Sequence, residues 1–89
     1  MLFMIISQTR TDLSPADYAR LVELAKAFYA ELPPGVTVQR EWTAQSGARN
    51  FALLEAPDEA TIDRIQAPFR PYVDIEILAV AERVGWTLG

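Results

Sequence analysis

The apolar positions along the chain change their period in a fixed order. Residues 2–7 form a run of β-forming residues that is apolar on both faces. A long stretch with 3–4 spacing follows, and two period-2 runs come next, at residues 36–42 and 50–56. A short helical stretch and a last period-2 run at residues 73–80 complete the series. This order predicts six elements, βαββαβ, in a chain of 89 residues.

The first predicted helix has recognisable ends. Ser14 is placed to cap it, Pro15 to take the first helical position and Asp17 to complete a capping box. Residues with 3–4 spacing then form one apolar stripe: Tyr18, Leu21, Val22, Ala25, Phe28, Tyr29 and Leu32. The sequence Pro33-Pro34-Gly35 ends the helix, because the residue before a proline avoids the α region.

The second and third strands are predicted to form a β-hairpin around Ser46-Gly47. Strict alternation along the second strand predicts one face with Val36, Val38, Arg40 and Trp42, and another with Thr37, Gln39 and Glu41. A short helix then opens at Pro57-Asp58-Glu59, with acids where the helix dipole favours them, and ends at Pro68 and Pro71.

Because both βαβ crossovers must be right-handed, the two halves of the chain can combine into one sheet in only one arrangement. The expected fold is α+β and ferredoxin-like, with a four-stranded antiparallel sheet and both helices on one face. The first and third strands are central, and the second and fourth are edges. Residues 1–89 are expected to form one domain, because a chain of this length cannot build two cores. Residues 82–89 form a tail without a clear period, which carries Val84, Trp86 and Leu88.

Composition narrows the possible functions. The net charge of −4 disfavours nucleic acid and anionic membrane surfaces as partners. The chain has no histidine and no cysteine, which excludes disulfides and thiolate chemistry. The sequence also shows no metal-ligand spacing, no glycine-rich phosphate loop and no nucleophile–base pair, so no metal and no cofactor are expected. The apolar start is too short for a signal peptide, and a cytoplasmic location is expected.

One face of the predicted sheet is left without helices. The central strands place apolar residues on that face in either register, and monomers rarely expose a patch of that size. The expectation is a homodimer that packs sheet to sheet, with the tail lying across the partner. The alternative is a monomer whose open sheet has a polar rim.

Three segments carry a resemblance to a known group of proteins: Arg40-Glu41-Trp42, the return strand Gly47…Phe51-Ala52-Leu53-Leu54-Glu55, and Tyr72-Val73-Asp74-Ile75-Glu76-Ile77. Over residues 1–80 the chain resembles the dimeric α/β-barrel superfamily, and within it an uncharacterised bacterial family of small single-domain proteins. The resemblance implies a sheet-to-sheet dimeric barrel. Other branches include haem proteins, isomerases and cofactor-free monooxygenases. Histidine-dependent chemistry does not carry over, since this chain has no histidine.

The candidate ligand site lies between the sheet and the helices. Its predicted members are Trp42, Arg40, Asn50, Tyr72, Tyr18 and Tyr29. The cofactor-free monooxygenases of the superfamily use Trp, Asn and Tyr, which the resemblance would assign to Trp42, Asn50 and Tyr72. The candidates also have structural interpretations: Trp42 ends the core, Asn50 satisfies a turn, and Tyr72 packs behind Phe69. Arg40 either pairs with a carboxylate such as Glu55, which is a structural role, or binds an anionic ligand.

Four functions therefore compete. The preferred one is binding of a small, mostly apolar or aromatic molecule. The others are a cofactor-free monooxygenase or isomerase, for which no catalytic residues are assigned, and a structural interaction domain. An RNA-recognition module, suggested by Phe3 and by residues 49–54, is disfavoured by the acidic charge and by Asn50 in place of the motif's glycine.

Overall fold

Six principal elements follow one another in the predicted order. The computed structural model describes residues 1–83, and the predicted tail residues Val84, Trp86 and Leu88 lie outside them. The elements are β1 (Leu2–Thr9), α1 (Pro15–Ala30), β2 (Thr37–Thr43), β3 (Asn50–Glu55), α2 (Glu59–Gln66) and β4 (Val73–Val80). A single turn of 3₁₀-helix, Ala67–Phe69, follows α2 directly. The βαββαβ prediction is confirmed.

The strands form one antiparallel sheet in the order β2-β3-β1-β4. The first and third strands are therefore central, as predicted. Phe3 on β1 lies opposite Leu54 on β3 and Ala79 on β4, and all three point toward the helices. Within residues 1–83, the opposite face carries no helix, which confirms the ferredoxin-like arrangement.

The core lies between the helices and the centre of the sheet. Its buried residues are Phe3, Ile5, Val36, Leu54, Ala56 and Ile62. Phe28 of α1 and Leu32, just after the helix, pack against this core, yet within the described chain no residue of α1 is buried. Tyr18 and Tyr29 are both more than half exposed. The predicted apolar stripe of α1 is thus covered only near its C-terminal end, and space remains between the helix and the sheet.

Both helix starts are fixed by side chains that accept hydrogen bonds from first-turn amides. Ser14 Oγ accepts from the Asp17 amide at 3.1 Å, and the Asp17 carboxylate accepts from the Ser14 amide at 3.4 Å. This is the predicted capping box. At α2, Asp58 Oδ1 accepts from the Thr61 amide at 2.8 Å and from the Thr61 hydroxyl at 2.7 Å. Neither described helix is long and apolar enough to span a bilayer.

The turn between α1 and β2 requires a glycine. The Val36 amide donates to the Pro33 carbonyl at 3.1 Å, which closes a four-residue turn, and Gly35 has φ = +82° at its third position. A Cβ at Gly35 would also lie 3.2 Å from Pro57 Cγ. Gly47, in the β2–β3 hairpin, has a similar φ of +79°, but a Cβ there would meet no atom within 4 Å.

A β-bulge interrupts the pairing of β2 with β3. Val38 lies opposite Leu54, whereas Arg40 lies opposite the adjacent residue, Leu53. Gln39 is therefore an extra residue without a partner of its own. Side chains after the bulge point to the face opposite to the one that strict alternation assigns.

The predicted faces of the second strand are consequently wrong after Val38. Glu41 lies opposite Ala52 and faces the helices, where it contacts α1. Arg40 and Trp42 face the side of the sheet without helices. The physical reason is the single extra residue, because the side-chain period of a strand is two and one insertion reverses all later positions.

Candidate ligand-binding cleft

A cleft of about 350 Å³ separates α1 from the sheet. Its apolar lining comes mainly from the sheet and from α1: Ile5, Val38, Ala52, Leu54, Ile75, Leu21, Ala25 and Phe28. Its polar lining comes from strand ends and both helices: Ser7, Thr9, Glu41, Thr43, Asn50, Tyr29 and Gln66. The α1 residues that line the cleft lie in the middle and at the C-terminal end of the helix, from Leu21 to Tyr29.

Three aromatic rings form one wall of the cleft. Phe28 packs edge-to-face against Tyr29, with ring centroids 5.2 Å apart, and against Phe69, with centroids 5.8 Å apart. Phe69 comes from the 3₁₀ turn after α2, so this wall joins the two helices. Edge-to-face pairs of this kind hold each ring in a defined orientation.

A tyrosine and a glutamate meet at the solvent side of the cleft. The Tyr29 hydroxyl donates a hydrogen bond to Glu41 Oε2 at 2.8 Å. Burial of the phenol, together with this bond, raises the pKa of Tyr29 to about 12. Tyr29 therefore stays a protonated donor at neutral pH, and it fixes one oxygen of the carboxylate.

Gln66 contributes a buried amide. It lies on the last turn of α2, is only 8% exposed and lines the cleft. Its side chain makes no hydrogen bond with any residue in the range 1–83. In that range, every fully buried polar atom of a side chain has a hydrogen-bond partner. The amide atoms of Gln66 have no partner among these residues, so they are not fully buried and are accessible from the cleft. A polar group in this position needs water or a ligand.

The structure brings together some of the predicted site residues. Trp42, Asn50 and Tyr29 border the cleft, whereas Arg40, Tyr18 and Tyr72 are absent from its lining. The bulge directs the Trp42 side chain to the opposite face of the sheet. Asn50 Oδ1 accepts a hydrogen bond from the Thr43 hydroxyl at 2.9 Å. The Trp, Asn and Tyr set that the resemblance assigns to an enzyme is therefore not assembled in one place.

The predicted pairing of Arg40 with Glu55 is wrong. Glu55 Oε2 accepts a hydrogen bond from Gln39 Nε2 at 2.9 Å instead, because the bulge places Gln39 beside it. Within residues 1–83, Arg40 makes no ion pair. Its guanidinium is exposed on the face without helices.

Sequence reasoning missed two cleft residues, Glu41 and Gln66. Glu41 was assigned to the wrong face, and the chain has no glycine or proline near residue 39 that would signal a bulge. Gln66 follows Ile62 by four residues, so both lie on the inner face of α2. That spacing is the signal that could have found it.

The comparison with family models gives one match, to the family described as Domain of unknown function (DUF3303), over residues 1–84. The chain belongs to this family. A comparison with curated proteins gives no match. In the described part of this DUF3303 domain, no group of three or more carboxylates is placed to hold a metal ion. The cleft offers apolar contact together with hydrogen-bonding groups on Tyr29, Gln66 and Glu41, of which the Glu41 carboxylate is an acceptor.

Proposed function

We propose that this DUF3303 domain is a homodimer that binds a small, mostly apolar molecule in the cleft between α1 and the sheet. The observation that supports binding is the nine-tenths buried Gln66 amide, which opens into a cleft of about 350 Å³ without a hydrogen-bond partner among the described residues. Cavities of about 300–1,000 Å³ with an apolar lining and a few polar groups are typical of small-molecule sites.

The lining defines the kind of molecule. The sheet side presents Ile5, Leu54 and Ile75, and the helix side presents the edge-to-face rings of Phe28 and Phe69. Flat aromatic or compact aliphatic groups bury the most surface against such walls. Among the described lining residues, no cationic group is present to bind a large polyanion.

A titration with phenethyl alcohol tests the binding site, because this neutral probe has an aromatic ring and one hydroxyl. We expect its addition to shift the NMR amide signals of cleft residues such as Ala52 and Ile75, in a saturable manner. Ala25, which lines the cleft, is the position to fill: Ala25→Trp should abolish the shifts. Ala27→Trp is the matched control, because Ala27 is on the same helix and exposed.

Circular dichroism of both variants checks that they are folded. If Ala25→Trp does not fold, Ala25→Leu should still weaken binding measurably. Signals of the cleft that do not move at any probe concentration, or that move equally in the Ala25 and Ala27 variants, contradict the proposed site.

The proposed dimer rests on the sheet face without helices. By strand alternation, the centre of this face is apolar on all four strands, with the following residues: Leu2, Met4, Ile6, Trp42, Phe51, Leu53, Leu78 and Val80. Trp42 is 45% exposed and Leu78 is 44% exposed. An apolar surface of this kind is typical of an interaction site, and the resemblance to the dimeric α/β-barrel superfamily favours a second copy.

The dimensions and charges of this face fit a second copy of the chain. Four strands that average about seven residues cover roughly 19 Å by 24 Å, so two facing sheets remove about 900 Å² before side-chain relief is counted. That is close to the ~1,000 Å² that a specific interface needs. A two-fold axis parallel to the strands would place β2 over β4 of the second copy, with Arg40 within reach of Glu76 of that copy.

Light scattering after size exclusion tests the dimer, and we expect twice the mass of one chain. Leu78→Lys should shift the mass toward the monomer, because a charge would be desolvated in the interface. Val22→Lys is the matched control, since Val22 is 40% exposed but lies on α1. Arg40→Glu and Glu76→Arg should each weaken association, and the double variant should restore it.

A monomer at all accessible concentrations contradicts the proposed dimer. Equal effects of Leu78→Lys and Val22→Lys place the interface elsewhere. A dimer whose cleft binds no probe leaves a structural interaction domain as the function.

A further inference from the structure

We propose that the cleft selects ligands that carry a protonated amino group and that the Glu41 carboxylate binds this group. The inference rests on the proposed binding function and specifies its ligand class. It comes from the arrangement of charge in the cleft, from the free oxygen of Glu41 and from the aromatic wall beside it.

The cleft has one sign of charge. Among the described residues that line it, Glu41 is the one with a charged side chain, and none is a lysine or an arginine. The neighbouring Arg40 points to the opposite face of the sheet because of the bulge. A carboxylate ligand would therefore meet repulsion without compensation, whereas an ammonium group would meet attraction. The net charge of −4 adds a long-range preference of the same sign.

The Glu41 carboxylate is oriented and still has capacity to accept hydrogen bonds. Tyr29 donates to Oε2, while Oε1 has no partner among residues 1–83. An ionised carboxylate has about four acceptor sites, so one donor leaves room for an ammonium group. A phenol is protonated at neutral pH, so Tyr29 does not add a second negative charge beside Glu41.

Aromatic rings beside the carboxylate favour the same class of ligand. The Tyr29 ring packs against Phe28, which in turn packs against Phe69. Ring faces attract organic cations, and the attraction increases when water is excluded. Gln66, at the buried end of the cleft, can hydrogen-bond a neutral polar atom, but it does not discriminate charge. Glu41 is thus the residue that sets the charge preference.

Three probes with the same aromatic body test the inference: phenethylamine, phenethyl alcohol and hydrocinnamate, which are cationic, neutral and anionic at neutral pH. We expect the amine to bind about tenfold more tightly than the alcohol, as for one charge-assisted hydrogen bond at a partly exposed site. Hydrocinnamate should bind more weakly than the alcohol. Calorimetry gives the dissociation constants, and NMR shifts of Ala52 and Ile75 confirm the site.

Glu41→Gln should remove the preference for the amine, so that the amine and the alcohol bind this variant with affinities within about twofold of each other. Glu76→Gln is the matched control, because it removes the same charge from the opposite face of the sheet. Raising the salt from about 0.01 M to about 1 M shortens the Debye length from about 30 Å to about 3 Å, and should weaken binding of the amine more than that of the alcohol.

The outcomes separate this inference from the proposed function. Equal affinity for amine and alcohol, or equal effects of Glu41→Gln and Glu76→Gln, overturns the amine preference while binding of the alcohol still supports the cleft. Tighter binding of hydrocinnamate overturns it as well and points to a cation from outside the described residues. No cleft shift with any of the three probes overturns both proposals.

Discussion

The hydrogen bond between Tyr29 and Glu41 gives a direct test of the bulge in β2. Glu41 reaches α1 only because Gln39 is an extra residue in the strand, so the ionisation of Tyr29 reports which face Glu41 occupies. The variant to be measured is Glu41→Gln. Glu76→Gln is the control, because it removes the same charge from the other face of the sheet. The background carries Tyr18→Phe and Tyr72→Phe, so that Tyr29 is the one tyrosine.

The size of the effect follows from the causes of the shift. Burial is the largest cause of the shift. Together with the hydrogen bond to Glu41, it raises the pKa of Tyr29 to about 12. At pH 11, a phenol with a pKa of 12 is about 9% ionised, whereas an ordinary phenol is about 91% ionised. Glu41→Gln should lower the pKa of Tyr29 but leave it above 10, because burial remains.

The raised pKa also links stability to pH. Folding favours the protonated phenol, so the contribution is fully present below pH 10 and is lost as the pH rises through about 12. A shift of this size at a fully buried group corresponds to about 2.7 kcal/mol. Tyr29 is 55% exposed, so solvent screening reduces the contribution to below about 1 kcal/mol.

Tyrosinate absorbance as a function of pH measures the ionisation, and circular dichroism shows that the chain is still folded at each point. The reasoning fails if the titration of Tyr29 is identical in Glu41→Gln and in the parent. It also fails if Glu76→Gln lowers the pKa by as much, since Glu41 would then not be the partner. A parent pKa near 10 would show that the phenol is not desolvated.

Three further predictions concern stability and can be measured by denaturant or thermal unfolding. Ile62→Ala should destabilise the fold by about 2–5 kcal/mol, because Ile62 is 0% exposed, whereas Val22→Ala on exposed α1 should change it by less than about 0.5 kcal/mol. Gly35→Ala should cost more than Gly47→Ala, because both have positive φ but only the first meets a proline ring; equal costs would contradict this. Asp58→Ala should lower the melting temperature, because it removes the cap of α2. The difference in melting temperature between this variant and the parent should shrink on acidification. Hydrogen bonds lower the Asp58 pKa, so the contribution of its carboxylate to stability is lost as the pH falls.

Periodicity and caps were sufficient to predict the fold. The Ser14 capping box, the Pro33-Pro34-Gly35 stop and the alternating strands each act over a few residues, so the sequence displays them directly. The handedness rule then leaves one arrangement, and the observed strand order agrees with it.

The candidate site was only partly predictable, for two physical reasons. A bulge made by an ordinary residue such as Gln39 depends on the pairing with β3, which no local pattern shows. The distance of α1 from the sheet depends on packing near its C-terminal end, through Phe28 and, just after the helix, Leu32. The stripe on α1 therefore predicted a buried helix, whereas its middle and C-terminal end line an open cleft.

The extra residue at Gln39 also affects how members of the family should be compared. If a related strand lacks this residue, the bulge is absent and strict alternation is restored. The side chains that follow then point to the same faces of the sheet as they do in this chain. In a strand that keeps the residue but pairs it regularly, the roles of Glu41 and Arg40 are exchanged. A gap placed one position away in an alignment can therefore assign a carboxylate that faces the cleft to the face of the sheet without helices. Equivalent residues of β2 are identified more safely by counting the residues of β2 against their partners on β3 than by amino-acid similarity.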